Sequence, residues 1–423
     1  MMVEPMKTSA CLLLATAALA SAGSEFQLHE WGTFTTVAGS DGVLLDGLER
    51  EEEPLPAYIH AHYGLENGQP QNQAETARIY QQHGGLALMP TSFKGLGKRQ
   101  LSGVTVKMET PVLYFHSPEG FHAHVKVGFN GGTISQWYPA RSGGETLPEP
   151  PAPADPKNHP TPLSAWLLDF NKPYHGSIEW DVDVLSPADS HRQILFKPGD
   201  TLGWLRARVP DTNVVRTSGG ETEGFLFYRG VGHFDPGLKT TVDSAETVHL
   251  SNNTDGRIPY LVAFERTSDG KLRWTERRDG LDQAATFELP EAAFKSEPQG
   301  FCEPLYRAVK SGLAGCGLTD DEARAMVETW WNSYFEAPGL RVFWVLPRAT
   351  TDRILPLEVS PAPAETVRVL VGRSEIFRPR DESEWRKLAA EPEKSGWNYL
   401  VGTHRFGQPI QSRVNSLQRQ ASR

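Results

Sequence analysis

Cysteine is scarce in this chain. Only Cys11, Cys302 and Cys316 occur among 423 residues. None belongs to a C-x-x-C pair, and no histidine lies beside Cys302 or Cys316, which argues against a metal or redox pair there. After the first twenty residues, no apolar run approaches the roughly eighteen residues of a membrane span; those present, such as Val342–Leu346, are strand-sized. Positive charge is also short. The net charge of −10 is a poor match for nucleic acid and is better read as aiding solubility. There is no G-x-S-x-G nucleophile elbow and no phosphate loop. Gly95-Leu96-Gly97 and Gly230-Val231-Gly232 lack the rest of a dinucleotide fingerprint. Thr33 stands where an H-E-x-x-H zinc motif needs its second histidine after His29-Glu30.

The start of the chain carries an export pattern. Met6-Lys7 is a short positive start, Ala10–Ala20 is apolar, and Ala20-Ser21-Ala22 is an A-x-A cleavage site. A signal peptide over 1–22 is expected, cleaved near Ala22, with a periplasmic or secreted mature chain. Met6 is the better initiator, because Glu4 is out of place in a signal's first residues. Cys11 sits inside the apolar run, not at its end, which argues against a lipid anchor. Once Cys11 leaves with the signal, Cys302 and Cys316 remain as an even pair in an oxidising compartment. A disulfide between them is expected, worth about 3 kcal/mol for a loop of this size.

Abundant glycine and proline, 39 and 32 residues, favour short strands joined by turns. A strand and turn are expected over 26–47, and a short helix over Ala74–Gln82. Val104–Phe129 reads as a hairpin turning at Ser117-Pro118-Glu119-Gly120, with Phe121, Ala123, Val125, Val127 and Phe129 on one face. The prolines of 141–163 mark a linker or long loop. Strands are expected at Ser177–Leu185, Thr201–Val209, Gly224–Tyr228 and Thr247–Leu250. A hairpin is expected around Thr267-Ser268-Asp269-Gly270. Thr319-Asp320-Asp321-Glu322 is a capping box opening a helix. Leu340–Leu346, apolar on both faces, reads as a central strand. The fold class is mainly β. A β-rich region over 23–140 and the 141–163 connection precede a β-sandwich-like domain over 164–423, with a short disulfide-stapled helical insert at 302–336.

Several segments resemble a family of uncharacterised exported bacterial proteins. They are Leu28-His29-Glu30-Trp31-Gly32-Thr33-Phe34-Thr35 after the signal, Met108-Glu109-Thr110-Pro111-Val112-Leu113-Tyr114-Phe115, Trp137-Tyr138-Pro139, Phe227-Tyr228-Arg229-Gly230-Val231-Gly232, Leu346–Asp352 and Val367–Arg373. The resemblance spans most of the mature chain. It implies membership and export, and transfers no activity, cofactor or catalytic residue.

Candidate chemistry rests on the residues themselves. His29 beside Glu30 could do acid–base work, although neighbours on a strand face opposite ways. Arg348 and Asp352 lie just past the buried 340–346 strand, where a sheet holds functional groups rigidly. These four are the candidate catalytic set, against structural packing and a charge-paired loop. His60-Ala61-His62 and His122-Ala123-His124 each place two imidazoles on one strand face, so a divalent metal is the one candidate cofactor, with a third ligand from His29, Glu30 or His116. A solvated polar face is the alternative. Glu179, Asp181 and Asp183 could hold Ca²⁺, or pair with nearby arginine. Trp31, Trp137 and Tyr138 are candidate ligand-binding aromatics, and Trp330-Trp331 a platform or core. The first functional expectation is an envelope or extracellular protein binding a small molecule, glycan or peptide. A hydrolase of extracellular polymers and a structural interaction module are the alternatives.

Overall fold

The computed structural model describes residues 25–50, 52, 55–62, 96, 101–147, 167–287, 295–296 and 301–421. The expected signal peptide, the helix over 74–82 and most of the 141–163 connection lie outside these residues. Twelve strands carry the argument: β1 Gln27–Ala38, β2 Val106–Met108, β3 Val112–His116, β4 Phe121–Asn130, β5 Gly132–Tyr138, β6 His175–Val184, β7 Leu226–Gly232, β8 Leu261–Arg266, β9 Lys271–Arg277, β10 Gly339–Val345, β11 Leu357–Ser360 and β12 Glu365–Ile376. Five helices matter here: α1 Leu202–Ala207, α2 Glu303–Gly315, α3 Asp320–Trp330, α4 Arg348–Ile354 and α5 Gly407–Ala421.

β1 is the spine of an eleven-stranded sheet ordered β9-β8-β10-β12-β1-β2-β7-β5 through its centre. β1 and β12 run parallel over twelve residues, from Gln27 opposite Glu365 to Ala38 opposite Ile376. Strands from both sides of the 141–163 segment hydrogen-bond into this one sheet, so that segment does not divide it. β3 continues the position of β2 between β1 and β7. Glu109-Thr110-Pro111 separates the two, with Pro111 lacking an N–H to donate. Gly32 admits this bend, because a Cβ there would lie 2.9 Å from the Pro111 Cα.

A second, six-stranded sheet contains β4, β6 and β11. Its apolar face, Ala123, Val125, Val127 and Phe129 with Ile178, Trp180, Val182 and Val184, shares a core with Leu28, Phe34, Leu226, Tyr228 and Trp344 of the large sheet. The other face of the large sheet presents Trp31, Val112, Tyr114, Phe227, Phe343 and Val369. These pack against Trp204 of α1, Leu305 and Val309 of α2, and Met326 and Trp330 of α3. Period-two alternation thus feeds two cores, sheet on sheet and sheet on helix. α5 closes the far end with Ile410 and Val414.

The chain is sheet-rich, as expected. Three expectations need correction. β3 and β4 are not a hairpin: β3 pairs with β1 and β7, whereas β4 pairs with β6 and β11, so the 117–120 turn passes from one sheet to the other. Thr201–Val209 is not a strand. Thr201 caps α1, its side chain accepting from the Trp204 N–H. No disulfide joins Cys302 and Cys316. They occupy the two cap positions of the thirteen-residue α2. A helix of that length holds its ends about 20 Å apart, far beyond the roughly 7 Å that a disulfide spans between Cα atoms. The helical insert is held by packing instead. Among the described residues, no helix is long and apolar enough to cross a membrane.

Candidate functional site

The helix-covered face of the large sheet carries a cleft and a polar cluster, joined by β3 and α3. Along β3, Val112 lines the cleft, Tyr114 follows, and His116 reaches the cluster. α3 spans the same distance above, with Glu322 in its first turn and Trp330 at its end.

The cleft has a volume of about 160 Å³. Its aromatic walls are Trp204, Phe225, Phe227 and Trp330, with Thr110, Arg206, Arg229 and Asn332 as polar lining. Both tryptophans are fixed by hydrogen bonds. The Trp204 indole N–H donates to Glu223 Oε2 at 3.0 Å, and Arg208 holds that carboxylate at 2.8 Å. The Trp330 indole N–H donates to Thr110 Oγ1 at 2.8 Å. Arg229 lies two residues past Phe227 on β7 and so shares its face, before the register shifts between Arg229 and Gly230, and its Nε donates to Gln136 Oε1 at 2.6 Å. Leu202, 60% exposed, stands at the cleft edge.

The cluster is His29, His116 and Glu322. Among the described residues it is the one group of three or more His, Cys, Asp or Glu whose ligand atoms all lie within 4.8 Å of one another. His29 Nδ1 is 2.9 Å from Glu322 Oε2, and His116 Nε2 is 2.9 Å from Glu322 Oε1. Glu322 is also the third residue of α3 and closes the capping box: the Thr319 N–H donates to its Oε2 at 2.9 Å. Burial pushes the Glu322 carboxyl upward, but hydrogen bonds from His116 and His29, the His29 charge and the Thr319 N–H outweigh it and hold the group at about 2. The capping box was legible in the sequence. Its second use was not, because His29 lies 293 residues away.

Glu30 faces the other way. It is buried between the sheets, accepting from the Tyr228 hydroxyl at 2.6 Å and ion-paired with Arg368. Arg368 also reaches Asp352 Oδ1 at 2.8 Å, and Arg348 pairs with Asp352 at 2.7 Å. Three of the four candidate catalytic residues therefore belong to one ion-pair chain, and His29 is separated from it by the sheet. Arg368 and Tyr228, which join the chain, were not singled out from sequence.

The two H-x-H pairs part from their expected roles. His60 Nε2 is 2.9 Å from Glu221 Oε1, whereas His62 Nε2 donates to the Ile134 carbonyl at 2.7 Å. His122 and His124 lie directly across from Asp183 and Asp181. His122 Nδ1 is 3.2 Å from Asp183, His124 Nδ1 is 3.0 Å from Asp181, and Lys126 Nζ is 3.3 Å from Glu179. The expected imidazole face and carboxylate face thus pair with each other. Hydrogen bonds from His124 and His122 lower the Asp181 and Asp183 carboxyls. Trp31, Trp137 and Tyr138 are buried and build cores. Trp137 stacks beneath the Arg141 guanidinium, 4.2 Å from the ring centroid, and the Tyr138 hydroxyl accepts from Lys197 at 2.5 Å.

Compared with known proteins, the chain matches no protein-family model and no curated protein sequence.

Proposed function

We propose that this is an exported binding protein that takes one terminal sugar ring of a glycan into the cleft between β3, β7, α1 and α3. The aromatic cleft of about 160 Å³ carries the reading. An apolar cavity of about 150 Å³ accommodates a six-membered ring, so this one matches a single residue, not a longer oligosaccharide lying lengthwise. Of the four aromatics, Trp204 and Trp330 keep slight exposure, 4% and 2%, and meet the CH face of a pyranose, while Phe225 and Phe227 have none and pack against Trp204. Thr110, Arg206, Arg229 and Asn332 offer hydrogen-bonding groups for its hydroxyls, the few polar groups that orient a ligand in an otherwise apolar site. The export pattern and the resemblance to exported proteins agree with this reading but supply no ligand chemistry. A hydrolase that pairs His29 with Glu30 loses its support, because Glu30 is buried in an ion pair and does not line the cleft.

Titration with a panel of monosaccharides, followed by tryptophan fluorescence, tests the proposal. A member of the panel should bind saturably, and Trp204→Ala should weaken it at least about tenfold, as loss of an aromatic anchor does. No binding across the panel, or equal affinity in the variant, would remove the cleft from consideration.

A further inference from the structure

We infer that His29, His116 and Glu322 form a binding centre for a divalent transition-metal ion of the zinc type. The donor set is two imidazoles and one carboxylate, which suits zinc and its neighbours and not the all-oxygen shells of calcium or magnesium. Three protein atoms bound at about 2.0–2.1 Å around a tetrahedral ion lie roughly 3.3 Å apart. From the single oxygen Oε1 of Glu322, His29 Nδ1 lies at 3.1 Å and His116 Nε2 at 2.9 Å, so both separations need to open by only a few tenths of an ångström, and all three ligand atoms lie within 4.8 Å of one another.

The surroundings fit the same role. His29 and His116 sit on paired strands, where Gln27 lies opposite His116 and His29 opposite Tyr114, so the two imidazoles are diagonal neighbours on one face. Their ring centroids are 4.6 Å apart. The Glu322 carboxylate is oriented by the Thr319 N–H, the kind of outer hydrogen bond that fixes a ligating carboxylate. Its side chain is fully buried, whereas that of His116 is 23% exposed, which gives an ion a way in and leaves a coordination position facing water. Three protein ligands with an open position are the arrangement of a zinc ion that binds or activates a further oxygen ligand, not of a closed structural site. The inference stands apart from the sugar cleft, whose lining contains none of the three residues.

The competing explanation for any zinc binding is the exposed His122, His124, Asp181 and Asp183 face. Isothermal titration of the purified chain with Zn²⁺, and the visible absorption of its Co²⁺ form, separate the two. Wild type should bind one ion at this centre and show the intense visible bands of four- or five-coordinate Co²⁺. Glu322→Gln keeps a side-chain oxygen for the Thr319 N–H, since glutamine serves at that capping-box position, and circular dichroism checks that the variant is folded. This variant and His116→Ala should each weaken Zn²⁺ binding at least about tenfold and lose the Co²⁺ bands. His122→Ala/His124→Ala should leave both readouts unchanged. Absence of stoichiometric binding in wild type, wild-type affinity in Glu322→Gln and His116→Ala, or loss of binding in the His122/His124 double variant would each overturn the assignment.

Discussion

His29 and Glu30, consecutive on β1, make their hydrogen bonds on opposite faces of the large sheet. His29 Nδ1 meets Glu322 Oε2 at 2.9 Å under the helices, and Glu30 Oε1 meets the Tyr228 hydroxyl at 2.6 Å between the two sheets. An adjacent His-Glu pair therefore serves two separate clusters. The Glu30 side is closed by Arg368, whose side chain has no exposure. The His29 side reaches solvent through His116. That asymmetry suits the first to a stabilising role and agrees with the metal centre inferred for the second.

The closed side yields a contrast between two arginines that share Asp352. Arg368 is buried and bonds Glu30, Asp352 and the Leu355 carbonyl; Arg348 is 48% exposed and bonds Asp352 from outside. Removing Arg368 leaves Glu30 as an unpaired buried charge, so Arg368→Ala is expected to cost roughly 3–5 kcal/mol. Arg348→Ala breaks an exposed pair and is expected to cost less than about 1 kcal/mol. Urea unfolding of both variants measures the difference. Similar losses would mean that the Glu30 pair does not act as a buried one.

The sequence made some of this legible and hid the rest for identifiable reasons. Period-two alternation in 121–129 identified the buried face correctly, and the opposite facing of neighbours on a strand separated His29 from Glu30, because a strand's sidedness is local. It could not say which sheet a strand joins, so β3 and β4 looked like a hairpin although they lie in different layers. Thr319 and Glu322 marked the start of α3, but only the fold brings β1 beneath it. Cys302 and Cys316 looked like a pair because spacing alone ignores the helix between them. α1 was missed because six residues are too few for a helical period to outweigh the strand-like bulk of Trp204 and Leu205. The cleft itself was invisible, since it is built from β3, β7, α1 and α3 together.

Gly230 is a second point where the fold makes a specific demand. The register of β7 against β5 shifts between Arg229 and Gly230, and a Cβ at position 230 would lie 1.9 Å from the Thr133 carbonyl oxygen. That atom is backbone, so it cannot swing aside as a flexible side chain would. Gly230→Ala is expected to destabilise the chain by at least about 3 kcal/mol, at the upper end of overpacking costs. It should also displace Arg229 and weaken any ligand held in the cleft. Calorimetry and ligand titration on the variant check both effects. A variant as stable as wild type would show that β7 can shift its register without loss.

Glu145 gives the chain a pH dependence of defined sign. Burial raises its carboxyl from an ordinary 4.5 to about 7, partly offset by hydrogen bonds from the Thr133 hydroxyl and the Ile134 N–H and by the charge of Arg141. His62 Nε2 lies 4.0 Å from the carboxylate. Because the folded value is raised, the native chain holds a proton between pH 4.5 and 7 that the unfolded chain releases. Stability therefore falls as pH rises through that window and levels off above it. The full difference in pKa corresponds to about 3 kcal/mol for a side chain only 10% exposed. Glu145→Gln keeps an oxygen to accept from Thr133 and Ile134 but cannot ionise, so it should lose less stability than wild type between pH 5 and 8. Urea unfolding at both pH values measures this; equal losses in the two proteins would mean that Glu145 ionises as readily in the fold as in the open chain.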